Sequence, residues 1–97
     1  MHNDIRMNGS EVLSTSHAVE VILMLGESDR MVSDFLTVTS NFYTVEKILA
    51  KLEDSGIIAE KHVERSKGTW YTLTPSGRIV ADHLKRACET IDSWSMG

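Results

Sequence analysis

The sequence predicts a mainly α protein with a small β-hairpin (α+β) and an additional C-terminal helix. Three stretches carry that expectation. TVEKILAKLEDSGII (residues 44–58) reads as an amphipathic helix stopped by a glycine and feeding a strand. YTLTPSGR (71–78) closes a second strand and opens another helix. Between them lies a polar, glycine-containing segment suited to a chain reversal.

Size and composition narrow the field. At 97 residues the chain suits a single domain with one core. Its 41% hydrophobic and 25% charged residues are ordinary for a globular protein, which argues against disorder and membrane insertion. The longest apolar run, Val21–Leu25, falls far short of the roughly 18–20 residues that span a bilayer. The N-terminus does not follow the basic-then-apolar order of a secretory signal. One cysteine, Cys88, forms neither an internal disulfide nor a cysteine-based zinc site, which fits a cytoplasmic location. The net charge of −4 disfavours nucleic-acid binding taken alone, but placement matters more than the total. The acidic excess lies before Glu60. From Lys61 onward Lys61, Arg65, Lys67, Arg78, Lys85 and Arg86 outnumber the acids.

The elements follow in order. Residues 1–13 read as a flexible N-terminal tail and 14–97 as the folded domain. Ser14, Thr15 or Ser16 caps a helix running to about Leu25, with Gly26 ending it. Val19, Ile22 and Leu23 form one apolar face, and Val21, Met24 and Leu25 cover much of the rest. A helix apolar nearly all round is buried on two sides, one in the core and one against a second subunit. Met31–Val32 suits a very short strand, and Ser33 caps a short helix to about Val38. TVTSN (37–41) reads as a turn, with Ser40 or Asn41 capping the next helix. On that helix Val45, Ile48, Leu49 and Leu52 share the inward face, and Gly56 supplies a left-handed end. Ile57–Arg65 and Trp70–Thr74 read as paired strands, with SKGT (66–69) as a tight reversal and Gly68 at positive φ. Pro75 suits the start of the last helix, where Val80, Leu84, Ala87, Ile91 and Trp94 make a coiled-coil-like seam.

Helix, strand, turn, strand, helix is the outline of a winged helix-turn-helix. KLEDSGII (51–58) and YTLTPSGR (71–78), with the trailing helix ending at Trp94, resemble the bacterial and archaeal winged-helix regulators of the HxlR, MarR and PadR groups. The resemblance covers roughly residues 16–94. It implies a DNA-binding regulator whose third helix enters the major groove, with double-stranded DNA as partner and a homodimer reading a palindromic operator. Cysteine-based sensing is not expected, because Cys88 lies in the last helix.

If the apolar face of the third helix points inward, Asn41, Tyr43, Thr44, Lys47 and Lys51 remain outward as candidate DNA contacts. Asn pairs with adenine, Thr and Tyr reach thymine methyls or phosphates, and lysines meet phosphates. Phe42 is left between core and surface. Glu46 either repels phosphate, as an ordinary solvated residue would, or accepts from cytosine N4. Arg65 and Lys67 bracket the hairpin tip as a basic wing, with Lys61 and His62 on the incoming strand; tip charges serving solubility alone are the plainer reading. Trp70 shields the sheet or stacks on a base, and Arg78 meets phosphate or a local acid. The dimer expectation falls on Val21, Leu25, Val80, Leu84, Ile91 and Trp94.

No metal, cofactor or catalytic constellation is expected. His2, His17, His62 and His83 lack ligand spacing, and no glycine-rich phosphate loop is present. An effector ligand cannot be read from the sequence. A winged helix adapted to protein contacts is the alternative function, and the acidic balance and Glu46 favour it.

Overall fold

The computed structural model describes residues 8–96, so most of the expected tail (residues 1–7) and His2 fall outside the described residues. The remainder of that tail is not a tail. Helix α1 spans Gly9–Ser14 behind a capping box: Asn8 Oδ1 accepts from the Glu11 amide at 2.9 Å, and the Asn8 amide donates to Glu11 Oε1 at 3.1 Å. The helix buries Val12 in the core.

Helix α2 spans Ala18–Glu27. Its N-cap is His17, in the left-handed conformation at φ 65° with Nδ1 2.8 Å from Glu20 Oε1; none of the three expected hydroxyls caps it. The helix runs through Gly26 rather than ending there. Its core face is Ala18, Val21, Ile22 and Leu25. Val21 and Leu25 are each 1% exposed, so neither offers surface to a second subunit; they fill the monomer's own core, which corrects the sequence expectation. A helix apolar nearly all round leaves its rotational phase undetermined by pattern.

Strand β1 is Arg30–Met31, one residue earlier than expected, and a 3₁₀ helix follows over Val32–Thr37. Its first turn is tied by the Met31 amide donating to Asp34 Oδ2 at 2.9 Å, and Phe35 is fully buried. Helix α3, Phe42–Asp54, buries Val45, Ile48, Leu49 and Leu52, the face that the sequence periodicity predicts. Strands β2 (Ile58–Lys61) and β3 (Trp70–Leu73) form the hairpin. β1 adds to it, giving an antiparallel three-stranded sheet in the order β1-β3-β2. Ile58 pairs with Leu73, Glu60 with Tyr71 and Arg30 with Tyr71.

The wing differs from its expected form. β2 stops at Lys61, and residues 62–69 form the loop. The turn lies at Val63–Ser66, where the Ser66 amide donates to the Val63 carbonyl at 3.1 Å. Arg65, not Gly68, takes positive φ, at 71°. Trp70 Nε1 donates to Ser66 Oγ at 2.7 Å, folding the loop back against the sheet.

Two glycines fix how α3, the sheet and the last helix α4 (Pro75–Met96) meet. Gly56, at φ 78°, ends α3 as predicted. The Gly56 amide donates to the Glu53 carbonyl and the Ile57 amide to the Leu52 carbonyl, both at 3.0 Å, a complete Schellman closure. Thr74 then joins the two helix ends. Its hydroxyl lies 2.6 Å from the Gly56 carbonyl oxygen and accepts from the Gly77 amide at 3.0 Å, capping α4. At Gly77 a Cβ would stand 2.0 Å from the Ile57 carbonyl oxygen, so only glycine permits the first turn of α4 to lie on that backbone. From there α4 packs along α2, with Ala81 buried and Leu84 against the core.

Candidate nucleic-acid interface

The first two turns of α3 stand out from the domain because their opposite face is completely buried. Asn41 is the N-cap, and its Oδ1 accepts from the Thr44 amide at 3.1 Å. Its carbonyl is thus turned into its own helix, and bidentate reading of adenine requires leaving the cap at about 1 kcal/mol. Tyr43 is 67% exposed. The Lys47 ammonium lies over its ring, 5.4 Å from the centroid, so the two side chains form one outward cationic-aromatic unit. Thr44 and Lys51 are half-buried on the same side as Lys47. Phe42 is 50% exposed and therefore lies on the surface.

In the wing, Arg65 and Lys67 are exposed, and among the described residues neither has an ion-pair partner within 4.0 Å. Arg65 earns its outward position from the left-handed turn. Lys61 behaves differently: its ammonium is 2.5 Å from Asp29 Oδ2. The Lys61 contact, and after it Thr72, holds the Asp29 carboxyl below its ordinary range. Lys61 is therefore half of an internal bridge, unlike Arg65 and Lys67 in the loop. Arg78 is exposed at the start of α4 and forms none of the observed ion pairs.

The sequence reading weighed Glu46 but passed over Glu53 and Glu60. Burial raises the Glu53 carboxyl, with Glu60 and Asp54 adding to it. Burial also raises the Tyr71 hydroxyl, and Glu53, Glu60 and Glu46 push it further. Glu46 and Glu53 are two helical turns apart on one side of α3, a spacing visible in the sequence; that Glu60 joins them depends on the sheet register. Asp29 and Thr74 were also missed, since their partners are distant in the chain.

At the far end of α4, Ile91 is 63% and Trp94 81% exposed, whereas Val80 and Leu84 are half-buried. The expected seam is therefore two regions, an inner part that packs on the monomer and an outer part that does not. No group of histidine, cysteine, aspartate and glutamate suited to a metal occurs among the described residues. No described helix is long and apolar enough to cross a membrane.

This architecture is that of a winged helix: a buried-backed third helix, a three-stranded sheet with an extended loop, and a long closing helix. A possible HxlR-family transcriptional factor from Thermoplasma volcanium superposes with a TM-score of 0.76 at 18% identity, covering 100% of this chain and 90% of that one. ZitR of Lactococcus lactis gives 0.74 at 19% identity, with 90% of this chain and 67% of that chain covered. The adhesin competence repressor AdcR of Streptococcus pyogenes gives 0.72 at 15% identity, covering 84% of this chain. The protein spans only 63% of AdcR's length. At these identities the likeness establishes a shared fold. No protein-family model and no curated protein matches the sequence.

Proposed function

We propose that the protein is a sequence-specific, DNA-binding transcriptional regulator of the cytoplasm, acting as a homodimer on a roughly palindromic site. The observation that carries this reading is the outward face of α3, where Tyr43 and Lys47 project from a helix whose other face is sealed into the core. Tyr43, Thr44 and Lys47 address the major groove, Lys51 an adjoining phosphate, and Arg65 and Lys67 the flanking backbone. Asn41 contributes its amide NH₂ while its carbonyl holds the cap. The transcription-factor and repressor names of the structural neighbours point the same way.

The test is fluorescence anisotropy on duplexes enriched from a random library, at two salt concentrations. Neutralising Arg65 and Lys67 together should weaken binding to every sequence and lower the salt slope by about one per lost phosphate contact. Replacing Tyr43 and Thr44 should alter base preference more than salt slope, with a lost base contact costing about 1–3 kcal/mol. No binding at tens of micromolar protein in low salt would transfer the assignment to the second reading, a winged helix that docks on another protein. The exposure of Phe42 beside Tyr43, together with the acidic side of α3, favours that alternative.

A further inference from the structure

The outer face of the sheet is spent on the wing. Tyr71 and Leu73 are buried in the core, so Trp70 lies on the opposite face of β3. Its partners across the sheet, Met31 on β1 and Lys61 on β2, share that face. Each of the three holds part of the chain around the loop. Lys61 is bridged to Asp29 at the base of the hairpin. The Trp70 indole donates to Ser66 Oγ at 2.7 Å. Met31 lies on Gly68, where a Cβ would overlap its thioether methyl. Ser66 is half-buried, whereas Arg65 and Lys67 on either side of it are exposed. With Ser66 turned in to the indole, its two cationic neighbours are left outward. The Ser66 amide is held as well, donating to the Val63 carbonyl at 3.1 Å. Arg65, just before it, sits at φ 71°, a conformation that a non-glycine residue keeps only where its surroundings fix it.

We propose that the Trp70–Ser66 bond is a latch that presets the wing for DNA, holding Arg65 and Lys67 where they meet phosphate. Trp70 and Ser66 are then positioning residues, and Trp70 acts through Ser66 rather than by stacking on a base. An unheld loop must be ordered on the duplex, and that cost is subtracted from affinity; a loop already held loses less. Position matters here because the loop also carries an acid, Glu64, beside Arg65. Phosphate attraction therefore depends on which side chains the loop presents. This inference rests on the DNA-binding reading above and adds to it the residues that fix the wing cations.

The test uses the full chain carrying Ser66→Ala, Trp70→Phe or both, with circular dichroism to verify folding. Should Trp70→Phe fail to fold, Ser66→Ala carries the test alone. Limited digestion with trypsin reports loop mobility without DNA, because Arg65 and Lys67 are themselves the cleavage points. Anisotropy on random duplex, and on duplex enriched by wild type, reports the consequence at several salt concentrations. Ser66→Ala should speed cleavage in the loop and weaken binding to both duplexes by about fivefold. The salt slope should stay as in wild type, since both cations remain and still reach phosphate once bound. Neutralising Arg65 and Lys67 lowers that slope, so loss of position and loss of charge are told apart. Trp70→Phe should match Ser66→Ala, and the double variant should be no weaker than either, because each removes the same bond. Additive losses would mean that the two residues act separately, and the latch would be wrong. Unchanged cleavage or unchanged affinity in Ser66→Ala would also overturn it, although wild-type binding leaves the DNA-binding reading standing. If wild type binds neither duplex in low salt, that reading fails and the positioning role falls with it.

Discussion

The first turn of α4 and its last two turns belong to one continuous helix, yet side-chain size is set in opposite ways at the two ends. At Gly77 the Ile57 carbonyl would lie 2.0 Å from any Cβ, so the smallest residue is demanded by a contact within the chain. At the other end Ile91 and Trp94 are large, apolar and 63% and 81% exposed, with nothing among the described residues to cover them. The near end is determined by the domain's own packing. The far end is left open by that packing.

The largest effect should come from the near end. In an exposed helix interior, Gly→Ala stabilises by about 1 kcal/mol through propensity. At Gly77 the sign should reverse, because α4 must lift off the Ile57 backbone and lose the Thr74 cap with it. Gly77→Ala should cost about 3 kcal/mol in chemical denaturation, at the upper end of overpacking. A stabilised Gly77→Ala protein would show that α4 pivots freely at this junction, and the contrast between the two ends would collapse.

Gly56 sharpens the same comparison, since it is glycine for a different reason. A Cβ there meets nothing within 4 Å, but φ is 78°. Only backbone conformation is at stake, so Gly56→Val should cost about 1–2 kcal/mol and Gly56→Asn much less, as Asn tolerates the left-handed region. At Gly77, Asn should be no better than Ala. Equal losses for Val and Asn at Gly56 would mean that space, not φ, constrains the Schellman closure.

Much of this architecture was legible in the chain, and what was not has identifiable causes. The α3 face, its Asn41 cap and its Gly56 end were readable because a 3.6-residue period bounded by cap residues is a local signal. Helix α1 was missed although its capping box, Asn8 to Glu11, was present in the sequence; six residues hold too short a period to notice. The phase of α2 was missed because an apolar helix looks alike from every side, and Val21 and Leu25 were turned outward in error. In the wing, glycine was credited with a positive φ that Arg65 adopts. The basic wing lost Lys61 to Asp29, 32 residues away, and no local pattern reports such a pair. For the candidate site, the outward positions of Tyr43 and Lys47 follow from the α3 period, whereas the placement of Glu60 opposite Tyr71 required the sheet register.

The smallest effect on the folding of the monomer, and the most informative for the far end, should come from Ile91→Ser with Trp94→Ser. Both side chains are mostly in solvent, so isolated-chain stability should change by no more than about 0.5 kcal/mol. Association should change instead. If these residues cover one another across a two-fold axis, wild type sediments as a dimer and its melting temperature rises with protein concentration, because a partner bound only to the folded state stabilises it by mass action. The doubly substituted protein should sediment as a folded monomer with a concentration-independent melting temperature. Val80 and Leu84, half-buried against the monomer, should then belong to the edge of the contact at most. A dimer of this kind can set two α3 helices about 34 Å apart, one turn of DNA, and loss of the dimer should weaken binding to a palindrome far more than to a half-site. A wild-type protein that sediments as a monomer at high micromolar concentration would remove the second copy as the cover for Trp94.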